Sequence, residues 1–306
     1  MPSLALATAI VAAGLDDDLI PLLDACARAG IHAQARAWDD PTVAWGRFDA
    51  VLLRSTWDYT TRLPEFLDWC ERISAQTRLI NPLHVIAWNT DKHYLADLAA
   101  AGIPIVPTRF VEPDEEPLPT LRAFLAEYAD AGEFVVKPAV GAGSSDTQRY
   151  ARGQEFGATN HLRRLLEAGR SALLQPYLAS VDRDGETALM YFGGRFSHAI
   201  RKGALLQRDE GPTPHLLTAE TIVPRTPGND EVALAERVLA VAAQALGLDA
   251  PLNYARVDLI RAHDGRPQLL ELELCEPSLF FEHAASSADR FATLLMRTLG
   301  ASARTG

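Results

Sequence analysis

The sequence has only three cysteines, Cys26, Cys70 and Cys275, far apart and odd in number. They form no Cys-x-x-Cys pair and no Cys/His spacing, so neither a zinc module nor a disulfide framework is indicated, and a reducing cytoplasm fits best. No stretch approaches the roughly 20 apolar residues that span a bilayer. The apolar start, residues 4–15, lacks a basic leading segment and runs into Asp16, Asp17 and Asp18, so it reads as a buried first strand and not as a signal peptide. Positive charge is scarce: 29 Lys and Arg stand against 40 Asp and Glu, a formal net charge of -11. That balance argues against a nucleic-acid partner, which needs a concentrated basic surface. A small metabolite held by a few placed cations remains compatible, as does a homo-oligomer.

Several catalytic signatures are missing too. There is no Gly-x-x-x-x-Gly-Lys-Ser/Thr, which excludes a P-loop, and no Gly-x-Gly-x-x-Gly after the first strand, which leaves a dinucleotide fold little support. No Gly-x-Ser-x-Gly elbow occurs, and the eight histidines make no nucleophile–base constellation. Internal repeats and low-complexity tracts are absent.

What is present is an ordinary globular pattern, with 306 residues, 48% of them hydrophobic, enough to bury two or three subdomains. Residues 4–13 form an apolar run. A helical stripe of Leu19, Leu22, Leu23 and Cys26 follows, then Gly30 and an extended segment, 31–37, which together make a βαβ beginning. The next apolar strand, 48–53, ends in the polar group Arg54, Ser55, Thr56, Trp57, Asp58 and Tyr59, placed where parallel α/β units present ligands. For Trp57 and Tyr59, packing between subdomains is an equal alternative. Residues 88–92 look like a helix start with Asn89 or Thr90 as cap. Proline and glutamate then break the chain before a helix at 121–128 and a strand at 134–137. From 173 onward the chain is strand-rich, with hairpins signalled by Gly193-Gly194 and Asp264-Gly265 and helices at 230–246 and 285–299. The expected organisation is 1–88, an N-terminal parallel βαβ substrate domain, 89–170, a small central subdomain, and 171–306, a C-terminal antiparallel-sheet subdomain. The class is α/β, turning to α+β in the C-terminal half.

The most informative local pattern is the hairpin at 252–274. A symmetric turn about Asp264-Gly265 sets Asp258 opposite Glu271 and Arg256 opposite Glu273. Strand alternation puts all four on one face, with Val257, Leu259, Leu272 and Leu274 on the other. Opposed carboxylates call for water, a proton or a cation. Hard oxygen ligands suit Mg, with Arg256 beside it for a phosphoryl group, while a solvated polar face is the plain alternative. Lys137 closes the apolar strand 134–137 and is followed by Gly141, Ala142, Gly143, Ser144 and Ser145, which is either an ordinary turn or a loop whose N–H groups approach phosphate. Lys92 alone is as easily a solvent-facing lysine. Glu186 and Arg201 fall opposite each other across the Gly193-Gly194 hairpin, consistent with a simple cross-strand ion pair.

The ordered set Asn89-Thr90-Asp91-Lys92, Val135-Val136-Lys137-Pro138, Gly141 to Ser145, Gln175-Pro176-Tyr177-Leu178, Arg256-Val257-Asp258 and Glu271-Leu272-Glu273 resembles the ATP-grasp superfamily over nearly the whole chain. The segments Arg54 to Tyr59, Trp88 to Lys92 and Glu271-Leu272-Glu273-Leu274-Cys275-Glu276-Pro277-Ser278-Leu279 look most like the group containing the O-ureido-serine cyclo-ligase of D-cycloserine biosynthesis. More distantly the chain is similar to glutathione synthetase and D-alanine–D-alanine ligase.

This resemblance implies an ATP-grasp fold and an enzyme that spends ATP, with Mg, to activate a carboxylate as an acyl phosphate and join it to nitrogen. Two Mg ions are implied, and Mn as a substitute. The nucleotide would lie between the central and C-terminal subdomains. Lys92 and Lys137 would contact phosphates, Lys137 also lying near the adenine, and the loop Gly141, Gly143, Ser144 and Ser145 would close over them. Gln175, Pro176, Tyr177 and Leu178 would read the adenine, and Glu186 would hold the ribose. Asp258, Glu271 and Glu273 match the metal ligands and Arg256 the phosphate contact, although Glu273 stands where the family usually has asparagine. Arg201, Lys202 and the substrate group Arg54, Ser55, Trp57, Asp58 and Tyr59 are candidates by placement and charge. The implied substrate is amino-acid-like, with ring closure of an O-ureido-serine-like compound as one outcome. A dipeptide or glutathione-synthetase-like ligation with a separate amine, a carboxylate kinase, and an ATP-binding module without catalysis are the competing expectations.

Overall fold

The computed structural model describes residues 1–207, 211 and 221–302, the last two by backbone alone. The N-terminal part is β1 (Ser3–Thr8), α1 (Leu19–Arg28), β2 (His32–Ala37), β3 (Ala50–Leu53), α2 (Leu63–Ser74), β4 (Arg78–Ile80) and α3 (Leu83–Asn89). Its strands pair in parallel in the order β2-β1-β3-β4. The first strand is shorter than the apolar run suggests, because the chain turns into a 3-10 helix at Ile10–Ala12. Alternation sorts β1 cleanly. Leu4 and Leu6 join one core, while Ala5 and Ala7 leave room on the other face for Trp38, Trp45, Trp57, Phe66 and Trp69.

The central part is α4 (Tyr94–Ala100), β5 (Arg109–Val111), α5 (Pro117–Glu127), β6 (Glu133–Pro138), β7 (Gln148–Ala151), α6 (Glu155–Glu167) and β8 (Ala172–Pro176). Its antiparallel sheet runs β5-β8-β6-β7. Phe134 and Val136 point into a core with Leu121, Phe124, Leu162 and Leu165, so Val135 and Lys137 face the other way. Residues 88–92 correct the sequence expectation. Asn89 ends α3 instead of capping a helix, and Lys92 lies between α3 and α4. The reason is a long-range one: the Asn89 amide donates to the Leu272 carbonyl at 2.8 Å and its carbonyl accepts the Leu274 N–H at 2.6 Å.

The C-terminal part is α7 (Ser180–Asp184), β9 (Glu186–Phe192), β10 (Arg195–Lys202), β11 (Ile222–Arg225), α8 (Asn229–Ala245), β12 (Tyr254–Arg261), β13 (Pro267–Glu273) and α9 (Ser287–Ser302). Its antiparallel sheet has the order β11-β10-β9-β12-β13. One face packs on α8 and α4. The other, through Ala188, Met190 and Phe192, shares a core with α1, α9, Leu4 and Leu6, which locks this sheet to the first. Asp258 does face Glu271, and Arg256 faces Glu273. The route differs from a symmetric turn: the tip pairs Arg261 with Pro267, and a bulge at Leu270 then restores the expected register toward the open end.

Candidate active site

Three elements converge on one site: the pocket-facing residues of β6 and β8, the β12–β13 ribbon, and the junction between α3 and α4. Two chambers meet there. The first, about 130 Å³, is lined by Lys137, Gln175, Pro176, Tyr177, Leu178 and Glu186 together with apolar Val106, Leu205, Leu206, Ile260 and Leu270. The second, about 480 Å³, is lined by Trp57, Tyr59, Asn89, Arg256, Glu276 and Phe280. They share a wall made of Lys92, residues 141–144, Lys202, Glu271 and Glu273.

The wall is densely ionic. The Lys92 ammonium donates to the Gly141 carbonyl at 2.8 Å and pairs with Glu271 at 2.8 Å, tying the glycine loop to β13. Lys202 lies between Asp258 at 2.8 Å and Glu186 at 3.0 Å. Arg256 grips Asp258 at 2.9 Å, also donates to Glu273, and stands 5.6 Å from the Phe280 ring. Burial alone would raise the Asp258 carboxyl, but Arg256 and Lys202 hold it well below the usual range. Glu273 is the opposite case. Burial and the nearby Glu271 and Asp258 carboxylates outweigh Arg256 and hold it above the usual range. Lys137, buried with little compensation, is lowered to about 8.

Gln175 is fixed by donating to Thr108 Oγ1 at 2.8 Å, and the Tyr177 N–H bonds the Glu133 carbonyl at 2.9 Å. The Arg149 guanidinium lies 3.6 Å over the Tyr177 ring. In the glycine loop, Gly143, Ser144 and Asp146 all hold positive φ, and the tight turns are closed by the Ser145 N–H on the Ala142 carbonyl and the Thr147 N–H on the Ser144 carbonyl.

Several sequence expectations are corrected. Lys202, not Arg201, lies across from Glu186, because an irregularity between Phe196 and His198 shifts the β9–β10 register. Arg201 turns onto the carbonyls of Asp184 at 2.6 Å and Arg183 at 3.0 Å and does not line either chamber. Arg54 and Ser55 are buried away from both chambers. The Arg54 guanidinium pairs with Asp18 at 3.3 Å and donates to the Pro277 carbonyl at 2.9 Å. Asp18 in turn accepts the N–H groups of Leu279, Phe280 and Phe281, which pins Phe280 at φ 53. Asp58 is engaged by Trp38 Nε1 at 2.9 Å and by Arg62. Trp57 and Tyr59 do line the larger chamber. The apolar lining of the smaller chamber and Glu276 carried no site signal in the sequence, since apolar residues read as core and Glu276 as part of a motif.

Among the described residues no three His, Cys, Asp or Glu side chains are gathered as a metal-holding group. The ion pairs account for this, since Lys92, Lys202 and Arg256 occupy the carboxylates. The donor set nonetheless suits a hard cation: oxygen ligands only, with Glu273 held above the usual carboxylate range, a group that an arriving cation would return to its charged form.

Comparison with known proteins identifies the family and the fold. Residues 4–81 match the family model described as D-cycloserine synthetase DcsG, N-terminal domain. The cycloserine biosynthesis protein DcsG of Streptomyces lavendulae is 48% identical over 299 residues, 98% of this chain and 99% of that protein. The crystal structure of D-cycloserine synthetase DcsG superposes with a TM-score of 0.92 at 47% identity, covering 97% of this chain and 99% of that one. The ATP-grasp ligase PsnB, solved with a minimal precursor variant, Mg and ADP, shares the fold at a TM-score of 0.62 and 18% identity, covering 97% and 99%. On the fold, the site and these relatives together, the chain belongs to the D-cycloserine synthetase family of ATP-grasp ligases.

Proposed function

We propose that this ligase activates the carboxylate of a small amino-acid-like compound as an acyl phosphate and closes it onto a nitrogen of the same molecule, an O-ureido-serine-like compound being the substrate. The observation that carries this reading is the shared wall. A nucleotide in the smaller chamber with adenine against Gln175 to Leu178 and ribose at Glu186 sends its phosphates to Lys92, Lys137 and the loop Gly141 to Ser145. Its terminal phosphate then meets whatever occupies the larger chamber. The name of the relatives' product points the same way, since D-cycloserine is a ring that an internal C–N bond closes.

Asp258, Glu271 and Glu273 would hold Mg, and one or two ions fit the charge balance. Three carboxylates, Asp258, Glu271 and Glu273, when ionised face four cations, Lys92, Lys137, Lys202 and Arg256. The roughly four negative charges of a triphosphate then leave about three to neutralise, the work of one or two divalent ions. When bound, Mg neutralises phosphate oxygens, and Mn offers the same hard-oxygen chemistry. Lys92 and Lys202 give up their carboxylates and turn to phosphate, and Arg256 balances charge on the transferring group. The carboxylate oxygen attacks the γ-phosphorus and ADP leaves. The nitrogen then attacks the acyl carbon, phosphate departs with the bonding electrons, and the nitrogen loses its proton; with an O-ureido-serine the ring nitrogen still bears its carbamoyl group, which water must cleave as carbamate to free the ring. Closure of the loop Gly141 to Ser145 keeps water from the acyl phosphate. Among the described residues no helix is long and apolar enough to cross a membrane, in keeping with work on a dissolved metabolite.

ADP release tests the reading. O-ureido-serine, tested as each enantiomer and supplied with Mg-ATP and no other amine, should drive it in at least one form, and EDTA should stop it. A requirement for a second amine would replace ring closure by two-substrate ligation, and binding without turnover would leave only a nucleotide module. Asp258→Asn and Glu271→Gln should each lower kcat by about 1,000-fold or more. Undiminished turnover in both would remove the metal assignment.

A further inference from the structure

Asp258, Glu271 and Glu273 each have a cation at ion-pair distance. Glu276, on the segment that follows β13, is only 8% exposed and lines the larger chamber, yet among the described residues it makes no ion pair. The Tyr59 hydroxyl and the Cys275 thiol stand beside it, and Lys92, the cation that acts on it from further off, is held by Glu271 and the Gly141 carbonyl. Its peptide is fixed, because Trp57 Nε1 donates to its carbonyl at 3.2 Å. Burial raises its carboxyl above the usual range. A buried carboxylate without a cation is costly unless a cation comes with the ligand.

The other acids of this chamber do not compete. Asp16 and Asp18 already share the Arg54 guanidinium at 3.5 and 3.3 Å, which balances their charge even though Asp16 Oδ2 makes no hydrogen bond. Asp17 is exposed, and Glu282, 66% exposed, pairs with His283, so neither holds a cation strongly. Glu276 also lines the same chamber as the wall residues Lys92, Glu271 and Glu273, so a substrate whose carboxylate meets the wall lies in the chamber that Glu276 faces.

We propose that Glu276 receives the α-ammonium group of the substrate and thereby selects α-amino carboxylates over their des-amino counterparts. This rests on the ligase reading above. Tyr59 stands beside the carboxylate, and the Trp57 bond sets the backbone that carries it.

The experiment measures ADP release with O-ureido-D-serine and with its des-amino analogue, 3-(ureidooxy)propanoate, for the wild type, Glu276→Gln and Glu276→Asp. The wild type should prefer the amino compound by about 100-fold in kcat/KM. Glu276→Gln should lose about that factor on the amino compound, mainly through KM, while the KM for ATP changes less than about twofold. On the des-amino analogue it should match the wild type, and Glu276→Asp, which keeps the charge, should retain part of the preference. An undiminished preference in Glu276→Gln overturns the assignment while leaving the ligase reading intact. Equal use of both compounds by the wild type overturns it without need of any variant. No ADP release by the wild type with either compound overturns the ligase reading together with it.

Discussion

Lys137 is the residue whose chemistry is most exposed to test. It stands on the pocket-facing side of β6, and burial lowers its ammonium to about 8, only partly offset by Glu271. A triphosphate beside it restores the charge, so nucleotide binding above that value must take up a proton. Affinity is therefore full below about pH 8 and falls as pH rises through it, by about tenfold between pH 7 and 9. Titration calorimetry of Mg-AMPPNP in buffers of different ionisation heat should show proton uptake at pH 8.5, and Lys137→Met should bind weakly with no such dependence. A flat profile in the wild type would take Lys137 away from the phosphates. In the sequence Lys137, at the end of an apolar strand, is a weak signal on its own and is singled out through the family resemblance; the structure sets it in the lining of the smaller chamber. Arg54 looked similar, at the end of β3, yet its partners Asp18 and Pro277 lie 36 residues before and 223 after it, and nothing local announces them.

At the scale of elements, the carboxylate face of β12 and β13 was legible because strand alternation sorts Asp258 and Glu271 from Val257 and Leu272. The β9–β10 pairing was legible only to within one residue, because the irregularity between Phe196 and His198 has no sequence signal, and one step changes which cation meets Glu186. The junction of α7 and β9 is sensitive for the same reason. Gly185 holds φ +70, and an added Cβ would collide with the Lys202 carbonyl and come within 2.9 Å of Arg201 Nε. Gly185→Ala should therefore push β10 off β9 at the end that carries Lys202. The expected cost is about 2–4 kcal/mol in urea unfolding, together with a raised KM for ATP. Gly169→Ala is the control. Gly169 shares a positive φ of +71 but has nothing within 4 Å, so it should cost only about 1 kcal/mol and leave KM unchanged. Equal effects at the two positions would show that backbone strain, and not the close approach, controls Gly185.

For the whole molecule, the sequence suggests a parallel βαβ start, a small central part and a strand-rich C-terminal part, but not the central sheet or how the three sheets lock. The first sheet and the C-terminal sheet share a core through Leu4, Leu6, Met190, Phe192 and α9. The central sheet meets the C-terminal one through the parallel bridge between Ile105 and Leu269 and through the two chambers. Opposing walls of the smaller chamber come from β6 and β8 on one side and β9, β12 and β13 on the other. A nucleotide there should thus act as a clamp across both sheets. At about 100 times its dissociation constant, Mg-AMPPNP should add about 2.7 kcal/mol of stability and raise the melting temperature by about 5 °C. Hydrogen exchange should show protection of Val135, Lys137 and Tyr177 appearing together with that of Glu186 and Lys202. Replacing Mg by EDTA should remove most of the protection on the C-terminal side, because there the phosphates reach the carboxylates Glu271 and Glu273 only through a cation. Protection confined to the central sheet, with Mg present, would mean that the ligand does not bridge the two sheets, and the shared wall would lose its assigned part in phosphoryl transfer.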